Sequence, residues 1–361
     1  MRQNRKLREI AIIAAGQGAP QGEDNYCVDG TPFIKAGNLI ELINGKAETE
    51  VQKVNEQVAR NHKLKKYPQG TVLFAKSGMS CMKGYVYQLK NPCYVVSHLA
   101  CIIPKAIKGE YLKYYFEFHK PNSLVKDEAY PSISLLDIGE LSISYGSEAE
   151  QEEIVRNLDK INRIINKRRL EIQKIDDLVK SQFIEMFGDP IRNTQKRVTT
   201  EFINVVKMQR GFDLPVQERV QSGNVLVFGS NGALDRHNVA KVLGGGVITG
   251  RSGTIGKVFY TEEDYWPLNT SLFSVDTHGN NIIFLAYLLQ LYDLTRFTEG
   301  TGVPTLNRNK FHNQQIIDVP LDEQNAFARF VKQTDKSKFR IKQSLEKLEK
   351  CYKALLQKYF G

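Results

Sequence analysis

The chain has 361 residues, more than one hydrophobic core usually serves, so two domains of ordinary size are expected. A hydrophobic fraction of 41% with 25% charged residues is ordinary for a globular protein in water, and no apolar run approaches the roughly 20 residues a bilayer crossing needs. The formal charge of +10 suits an anionic partner, while five cysteines, with no Cys-x-x-Cys pair and none at metal-ligand spacing with a histidine, fit a reducing cytoplasm and argue against a zinc site.

The first residues, Met1 to Arg8, are basic, but the apolar piece at 10–15 is short and runs directly into Gly16-Gln17-Gly18, so no signal peptide is expected. Short β-branched or aromatic runs at 71–75, 86–89 and 94–103 predict strands, and apolar spacing predicts a helix over 111–119. From 57 to 109 there is no Asp or Glu, while Arg60, Lys63, Lys65, Lys66, Lys76, Lys83, Lys90, Lys105 and Lys108 all fall inside, a stretch that would attract a polyanion. A coiled-coil stripe follows: Ile154, Leu158, Ile161, Ile165, Ile172, Ile175 and Val179 step by fours and threes, with Arg168 as the polar break. Over 147–186 a continuous helix would run about 60 Å at 1.5 Å per residue, and Gly188 and Pro190 supply a stop.

The second half repeats this plan, with strands at 225–228, 247–249 and 258–260, a helix at 282–292 and a second long helix. A shift of 173 residues places Pro131-Ser132-Ile133 on Pro304-Thr305-Leu306, Glu150-Gln151 on Glu323-Gln324, and Phe187-Gly188 on Phe360-Gly361. A shift of 175 places Lys76-Ser77-Gly78 on Arg251-Ser252-Gly253. The second stripe carries Phe327, Val331, Ile341, Leu345, Leu348, Tyr352, Leu355 and Tyr359, broken by Thr334 and Lys338. An ordinary core stripe in a helical bundle would show the same spacing, but equal placement after two similar globular segments favours two helices packed antiparallel on each other.

Three motifs invite an enzymatic reading. Asn91-Pro92-Cys93-Tyr94 is close to the Asn-Pro-Pro-Tyr loop of amino-methyltransferases, but its third residue is Cys and no Gly-rich cofactor loop precedes it. In Ser252-Gly253-Thr254-Ile255-Gly256-Lys257-Val258 a valine stands where a phosphate-binding loop holds magnesium with Ser or Thr. Glu171-Ile172-Gln173-Lys174 has the acid and lysine of a nuclease site but lies on the coiled-coil helix with no second carboxylate nearby in sequence. What remains is a set of polar loops able to meet DNA or to serve only as turns: Gly229-Ser230-Asn231-Gly232, Arg210-Gly211-Phe212, and the paired Lys76-Ser77-Gly78 and Arg251-Ser252-Gly253.

The run Ser181-Gln182-Phe183-Ile184-Glu185-Met186-Phe187-Gly188-Asp189-Pro190 resembles the central segment of the specificity subunits of type I restriction-modification systems. Arg210-Gly211-Phe212-Asp213-Leu214-Pro215, Gly250-Arg251-Ser252-Gly253-Thr254-Ile255-Gly256-Lys257 and Trp266-Pro267-Leu268-Asn269-Thr270 follow in the order typical of that family's recognition domains. The first half departs from the pattern, with Lys76-Ser77-Gly78-Met79-Ser80 where Arg-Ser-Gly-Thr-Ile is usual. The resemblance implies a mixed α/β fold: two globular target recognition domains (1–146 and 188–319) separated by two long antiparallel coiled-coil helices (147–187 and 320–361), with an internal pseudo-two-fold repeat. It implies a non-catalytic, cytoplasmic DNA-binding subunit that reads a bipartite, asymmetric site in double-stranded DNA. Its partners would be two modification subunits, which bring S-adenosylmethionine, and restriction subunits, which bring ATP and Mg; this chain would hold no cofactor or metal and touch no membrane. The contacts expected to meet DNA are Lys35, Lys76, Ser77 and Lys83 in the first half and Arg210, Ser230, Asn231, Arg251, Ser252, Lys257, Asn269 and Arg308 in the second. The competing reading is an adenine-specific DNA methyltransferase whose catalytic domain has escaped recognition.

Overall fold

The computed structural model describes residues 2–300 and 304–361. The chain divides into two compact units, Met1–Lys167 with Leu345–Gly361, and Arg168–Ser344. The first unit is built on a four-stranded antiparallel sheet in the order Ala11–Ala15, Leu99–Pro104, Val72–Ala75, Val86–Gln88. Val72 to Ala75 are buried throughout, which is why they read as an unbroken apolar run, whereas the edge strand Ala11–Ala15 has a single buried residue. A smaller sheet joins Lys53–Val54, Thr31–Ile34 and Tyr94–Val95, the last two parallel. The ribbon of Gln3–Lys6 with Ser142–Tyr145 completes the unit. Helix Gly109–Phe118 buries Tyr111, Leu112, Tyr114, Tyr115 and Phe116 against it.

The second unit repeats each piece. Its four-stranded sheet runs Lys207–Arg210, Ser271–Asp276, Gly246–Gly250, Val258–Thr261; its smaller sheet runs Gly232–His237, Val225–Gly229, Tyr265–Pro267, again with one parallel pair. Thr199–Glu201 pairs with Gln315–Ile317 as the ribbon, and Ile282–Tyr292 is the equivalent helix. The apolar run at 94–103 proves to be two strands in different sheets, Tyr94–Val95 and Leu99–Pro104. The chain crosses between sheets at Val96-Ser97-His98, and Pro267 to Thr270 does the same in the second unit.

The long helices span Glu148–Phe187 and Leu321–Phe360, 40 residues each. Ser147 caps the first, its Oγ accepting from the Glu150 amide at 3.3 Å. Gly188, at φ +78°, ends it in the left-handed conformation that favours glycine. In the first unit Asn157 donates to the Tyr359 hydroxyl at 3.2 Å and Asn162 to that of Tyr352 at 3.3 Å, so the helix segments run antiparallel. The second unit shows the same sense independently: Lys338 pairs with Asp176, and the rings of Phe327 and Phe183 lie 5.3 Å apart. Of the stripe, Ile154, Leu158, Ile165 and Val179 are buried, while Ile161, Ile172, Ile175, Ile341, Leu345, Leu348, Tyr352 and Leu355 are half-buried. Ile154, Leu158 and Val179 are buried where a globular unit's core covers the side that two helices leave open.

Each long helix is fixed to a unit at both ends, through the residues the sequence repeats. Gln151 accepts the Lys108 amide at 3.0 Å and donates to the Gly146 carbonyl at 3.1 Å. Gln324 accepts the Asn281 amide at 2.8 Å and donates to the Val319 carbonyl at 2.7 Å. Both side chains are buried, and each ties the start of a long helix to the start of the unit's own helix. At the other ends, Phe187 packs 5.1 Å from Phe284 and Phe360 packs 5.1 Å from Tyr111, two positions related by the same 173-residue shift. Arg197 reinforces the joint in the second unit by donating to the Met186 carbonyl at 2.6 Å and to Glu323 at 2.8 Å. It thereby sets a cation at one helix's C-terminal turn and neutralises an acid at the other's N-terminal turn.

Replacing Gln324 by leucine strands the Asn281 amide and the Val319 carbonyl, which should cost on the order of 2–3 kcal/mol. Hydrogen exchange is expected to accelerate at Asn281 to Leu285 and not at Lys108 to Leu112, with Gln151→Leu giving the reverse; unchanged protection in both variants would mean that the glutamines do not hold these joints.

Candidate nucleic-acid interface

In the second unit the candidate residues lie at or near strand ends, Arg210 closing strand Lys207–Arg210 and Arg308 heading the short helix Arg308–His312, gathered around the crossing segment Pro267 to Ser271. Phe212 donates its amide to the Pro267 carbonyl at 2.8 Å, Asn269 donates to Phe212 at 2.9 Å, Leu268 donates to Phe228 at 2.8 Å, and Arg251 donates to Thr270 at 2.9 Å. One short segment therefore holds three loops. Gly211 is required by closeness rather than by an unusual φ, since a Cβ there would lie 2.3 Å from the Leu268 carbonyl oxygen.

Ser230 and Asn231 form the tip of the hairpin between Val225–Gly229 and Gly232–His237. Lys257 reaches that tip and donates to Asn231 Oδ1 at 2.8 Å. A Cβ on Gly250 would lie 2.8 Å from the Ser230 carbonyl oxygen, so the turn carrying Arg251 and Ser252 is packed against the same tip. Asn269 donates to Asp213, and Asp213 lines a shallow hollow of about 440 Å³ together with Arg210 and Arg308. Arg210, Ser230, Asn231, Arg251, Ser252, Lys257, Asn269 and Arg308 thus come from five loops to adjoining places.

The first unit has the same hub. Gln17 donates its amide to Val95 at 2.8 Å, Ser97 to Gln17 at 2.8 Å, Val96 to Ile34 at 3.0 Å and Lys76 to His98 at 2.9 Å. Gly16 is the counterpart of Gly211, with a Cβ 2.2 Å from the Val96 carbonyl oxygen. The Lys76 carbonyl accepts from Ile133 at 2.7 Å and that of Arg251 from Leu306 at 2.8 Å, so the repeated Lys/Arg-Ser-Gly turn has a shared structural use of its backbone. Ser77 Oγ lies 2.8 Å from His98 Nδ1. Lys35 follows strand Thr31–Ile34, its Nζ donating to Gln52 at 2.6 Å and standing 4.5 Å over the Tyr26 ring. Exposed Lys83 lies in the connection between Val72–Ala75 and Val86–Gln88, as Lys257 does in the second unit between Gly246–Gly250 and Val258–Thr261. No contact among the described residues joins Lys35 or Lys83 to the other candidates.

Lys6, Arg8, Lys46, Lys108, Lys113, Lys126, Lys332 and Lys338 form salt bridges, and Lys108, inside the acid-free stretch, is taken by Glu148 and Glu152. Among the described residues no salt bridge involves Lys35, Lys76, Lys83, Arg210, Arg251, Lys257 or Arg308. Seven cations at or near strand ends without internal counterions suit a polyanion.

The motifs that suggested catalysis are occupied structurally. Asn91 donates to buried Glu48 at 2.9 Å, and Cys93 is fully buried, its thiol pushed up to about 12 by burial and then by Glu48. Residues 252–257 turn a hairpin between two strands, with no helix following to complete a phosphate-binding loop. Glu171 pairs with Arg168 at 2.7 Å on the long helix. Among the described residues there is no group of three His, Cys, Asp or Glu placed to hold a metal, and no helix is long and apolar enough to cross a membrane. Sequence reasoning missed Gln17, His98, Asp213 and Lys241, which touch the hub. The signal lay in pairing Gly16-Gln17 with Gly211-Phe212, at a shift of 195 residues that the other repeats do not share.

A family model described as the type I restriction modification DNA specificity domain matches residues 2–174 and again 191–350. The chain belongs to this family. A relative, the type I restriction enzyme MjaIX specificity subunit of Methanocaldococcus jannaschii, is 24% identical over 198 residues, covering 53% of this chain and 45% of that protein. The match thus spans less than half the length of that relative. The fold is similar to that of the type I restriction-modification S subunit from M. genitalium, with a TM-score of 0.63 and 14% identity over 100% of this chain and 96% of the other. A second similar chain comes from a structure described as the basis of complex assembly and conformational transition of the type I R-M system; its TM-score is 0.55 at 13% identity, over 99% of this chain and 97% of the other. At these identities the likeness establishes the fold.

A pH dependence follows from His312, which sits in the short helix headed by Arg308. Its Nε2 accepts the Met208 amide at 3.1 Å, and burial, then the charges of Arg308 and Lys207, hold its pKa below the usual value. A lowered pKa in the folded state means that the neutral ring contributes stability above about pH 6.5, which is lost as the pH falls below that value. Hydrogen exchange at Met208 should therefore quicken between pH 8 and pH 5.5, after correction for intrinsic rates. In His312→Gln the dependence should flatten; an identical dependence in that variant would assign it to another group.

Proposed function

We propose that this chain is the DNA-recognition subunit of a type I restriction-modification complex, and that each unit reads one half of a split, asymmetric site. The observation that supports this most directly is the hub of strand-end loops present twice, with lysines around the first and arginines, a lysine and amide side chains around the second, whose cations form no salt bridge among the described residues. Guanidinium and amide groups suit base edges in the major groove, and lysines suit phosphates. In this reading the modification subunits supply S-adenosylmethionine and the methyl transfer, and the restriction subunits supply the ATP- and Mg-dependent steps; this chain contributes recognition and no catalysis. Expressed with its methyltransferase partner, the chain should direct methylation to a motif in two parts separated by unread bases. Exchange of residues 1–146 for those of a relative should alter one part only, and an unsplit motif would overturn the assignment.

The long helices would act as the ruler between the half-sites. Asn162 lies level with Tyr352, which places Ile165 level with about Leu348. Seven residues inserted after Ile165 and seven after Leu348 keep the apolar seam in phase and lengthen the pair by about 10 Å, roughly three base pairs. Methylation of a library differing only in spacer length should shift to the longer spacer with both half-sites unchanged. A folded, assembled variant that keeps the original spacer would show that the helices do not set the distance.

A further inference from the structure

The residue that follows the close-approach glycine differs between the units, Gln17 in one and Phe212 in the other, yet in both it touches a lysine-bearing loop lying outside the repeated sheet. Gln17 uses both ends of its amide: Nε2 donates to the Lys63 carbonyl at 2.6 Å, and Oε1 accepts from the Lys65 amide. The held loop follows helix Glu56–Asn61, turns at Lys63 with φ +51°, and exposes Lys63, Lys65 and Lys66. In the second unit the loop backbone is held by Tyr265, whose carbonyl accepts from the Lys241 and Val242 amides at 3.1 and 3.0 Å, while Phe212 positions the cation itself: exposed Lys241 stands 5.9 Å over its ring and 5.1 Å over that of Trp266. Among the described residues none of these four lysines has a salt bridge.

Holding an exposed loop in place costs conformational entropy, and a lysine ammonium, a point charge without a planar fork, discriminates bases less well than a guanidinium. Fixed, unpaired lysines beside loops that carry amide and guanidinium groups are suited to the uniform charge of a nucleic-acid backbone. We infer that Gln17 and Phe212 are positioning residues for phosphate-gripping lysines beside each recognition hub: Gln17 latches the loop that carries Lys63 and Lys65, and Phe212 orients the ammonium of Lys241 on a loop held by Tyr265. This rests on the recognition reading above: the hub selects sequence, and the latched loops set register and affinity on the phosphates.

The test is the salt dependence of duplex binding by the full chain assembled with its methyltransferase partner. Two probes serve, a 40-base-pair duplex of random sequence and one carrying the split site that methylation mapping defines. Removing one lysine–phosphate interaction lowers the slope of log K against log salt concentration by about 0.9. Lys63→Gln with Lys65→Gln should lower it by about one to two and Lys241→Gln by about one, on both probes, with the methylated sequence unchanged. Gln17→Ala keeps every lysine and should still weaken the slope, because the loop is no longer held; Gln17→Glu, which retains an acceptor for the Lys65 amide but loses the donor to Lys63, should fall between. Slopes equal to the wild type in the lysine variants would overturn the proposal, as would a change of recognised sequence, which would make these lysines base readers. A wild-type complex that bound neither probe would instead remove the recognition reading on which the proposal stands.

Discussion

A buried side-chain amide at the start of each long helix is the contact on which the rest of the architecture depends. Gln151 and Gln324 each join the first turn of a long helix to the first turn of a globular unit's helix and to the carbonyl five residues behind. A buried amide of this kind has little freedom, because an unmet donor or acceptor in the core is costly, so it fixes a direction as well as a contact. The aromatic locks at Phe187 and Phe360 do the same at the far ends. Each helix is therefore held at both termini, and the seam between the helices can afford half-buried residues and polar breaks along its middle.

This explains which parts of the duplication survive in the sequence. Glu150-Gln151 and Glu323-Gln324 are helix starts, Phe187-Gly188 and Phe360-Gly361 are helix ends, and Ile133 and Leu306 donate to the turns that carry Lys76 and Arg251. All of them are joints, where geometry admits few residues. The strand-end loops face no such demand from the fold. What the fold asks of them is mainly close-approach glycines and backbone carbonyls supplied by the crossing segment.

The electrostatics follow the same division. Some scaffold lysines and arginines are paired with acids, and Arg219 with Asp235 shows that the second unit can neutralise a cation where structure requires it, at 3.3 Å and largely out of solvent. The cations on the recognition loops lack such partners. An excess of +10 says little about a partner by itself; cations without salt bridges on the loops around two equivalent hubs are what support an anionic one.

The sequence by itself determined the duplication, the two long helices with their antiparallel sense, the mixed α and β composition and the family, because periodicity and in-register repeats are local properties that survive without contacts. It placed the Lys/Arg-Ser-Gly turns at equivalent positions but left open whether they were contacts or turns; the structure shows their backbones bound as turns, with the side chains not consumed by that role. Only the tertiary structure decided that residues 94–103 divide between two sheets, since an apolar run carries no mark of where a chain changes neighbours. Only it showed that Gly211 is needed for the approach of the Leu268 carbonyl, that Asn91 of the methyltransferase-like motif is held by Glu48, and that Gln17 and Phe212 occupy one position with two chemistries. Each of these is a pairing between segments far apart in the chain, fixed by packing and hydrogen-bond satisfaction, and a linear pattern does not encode it.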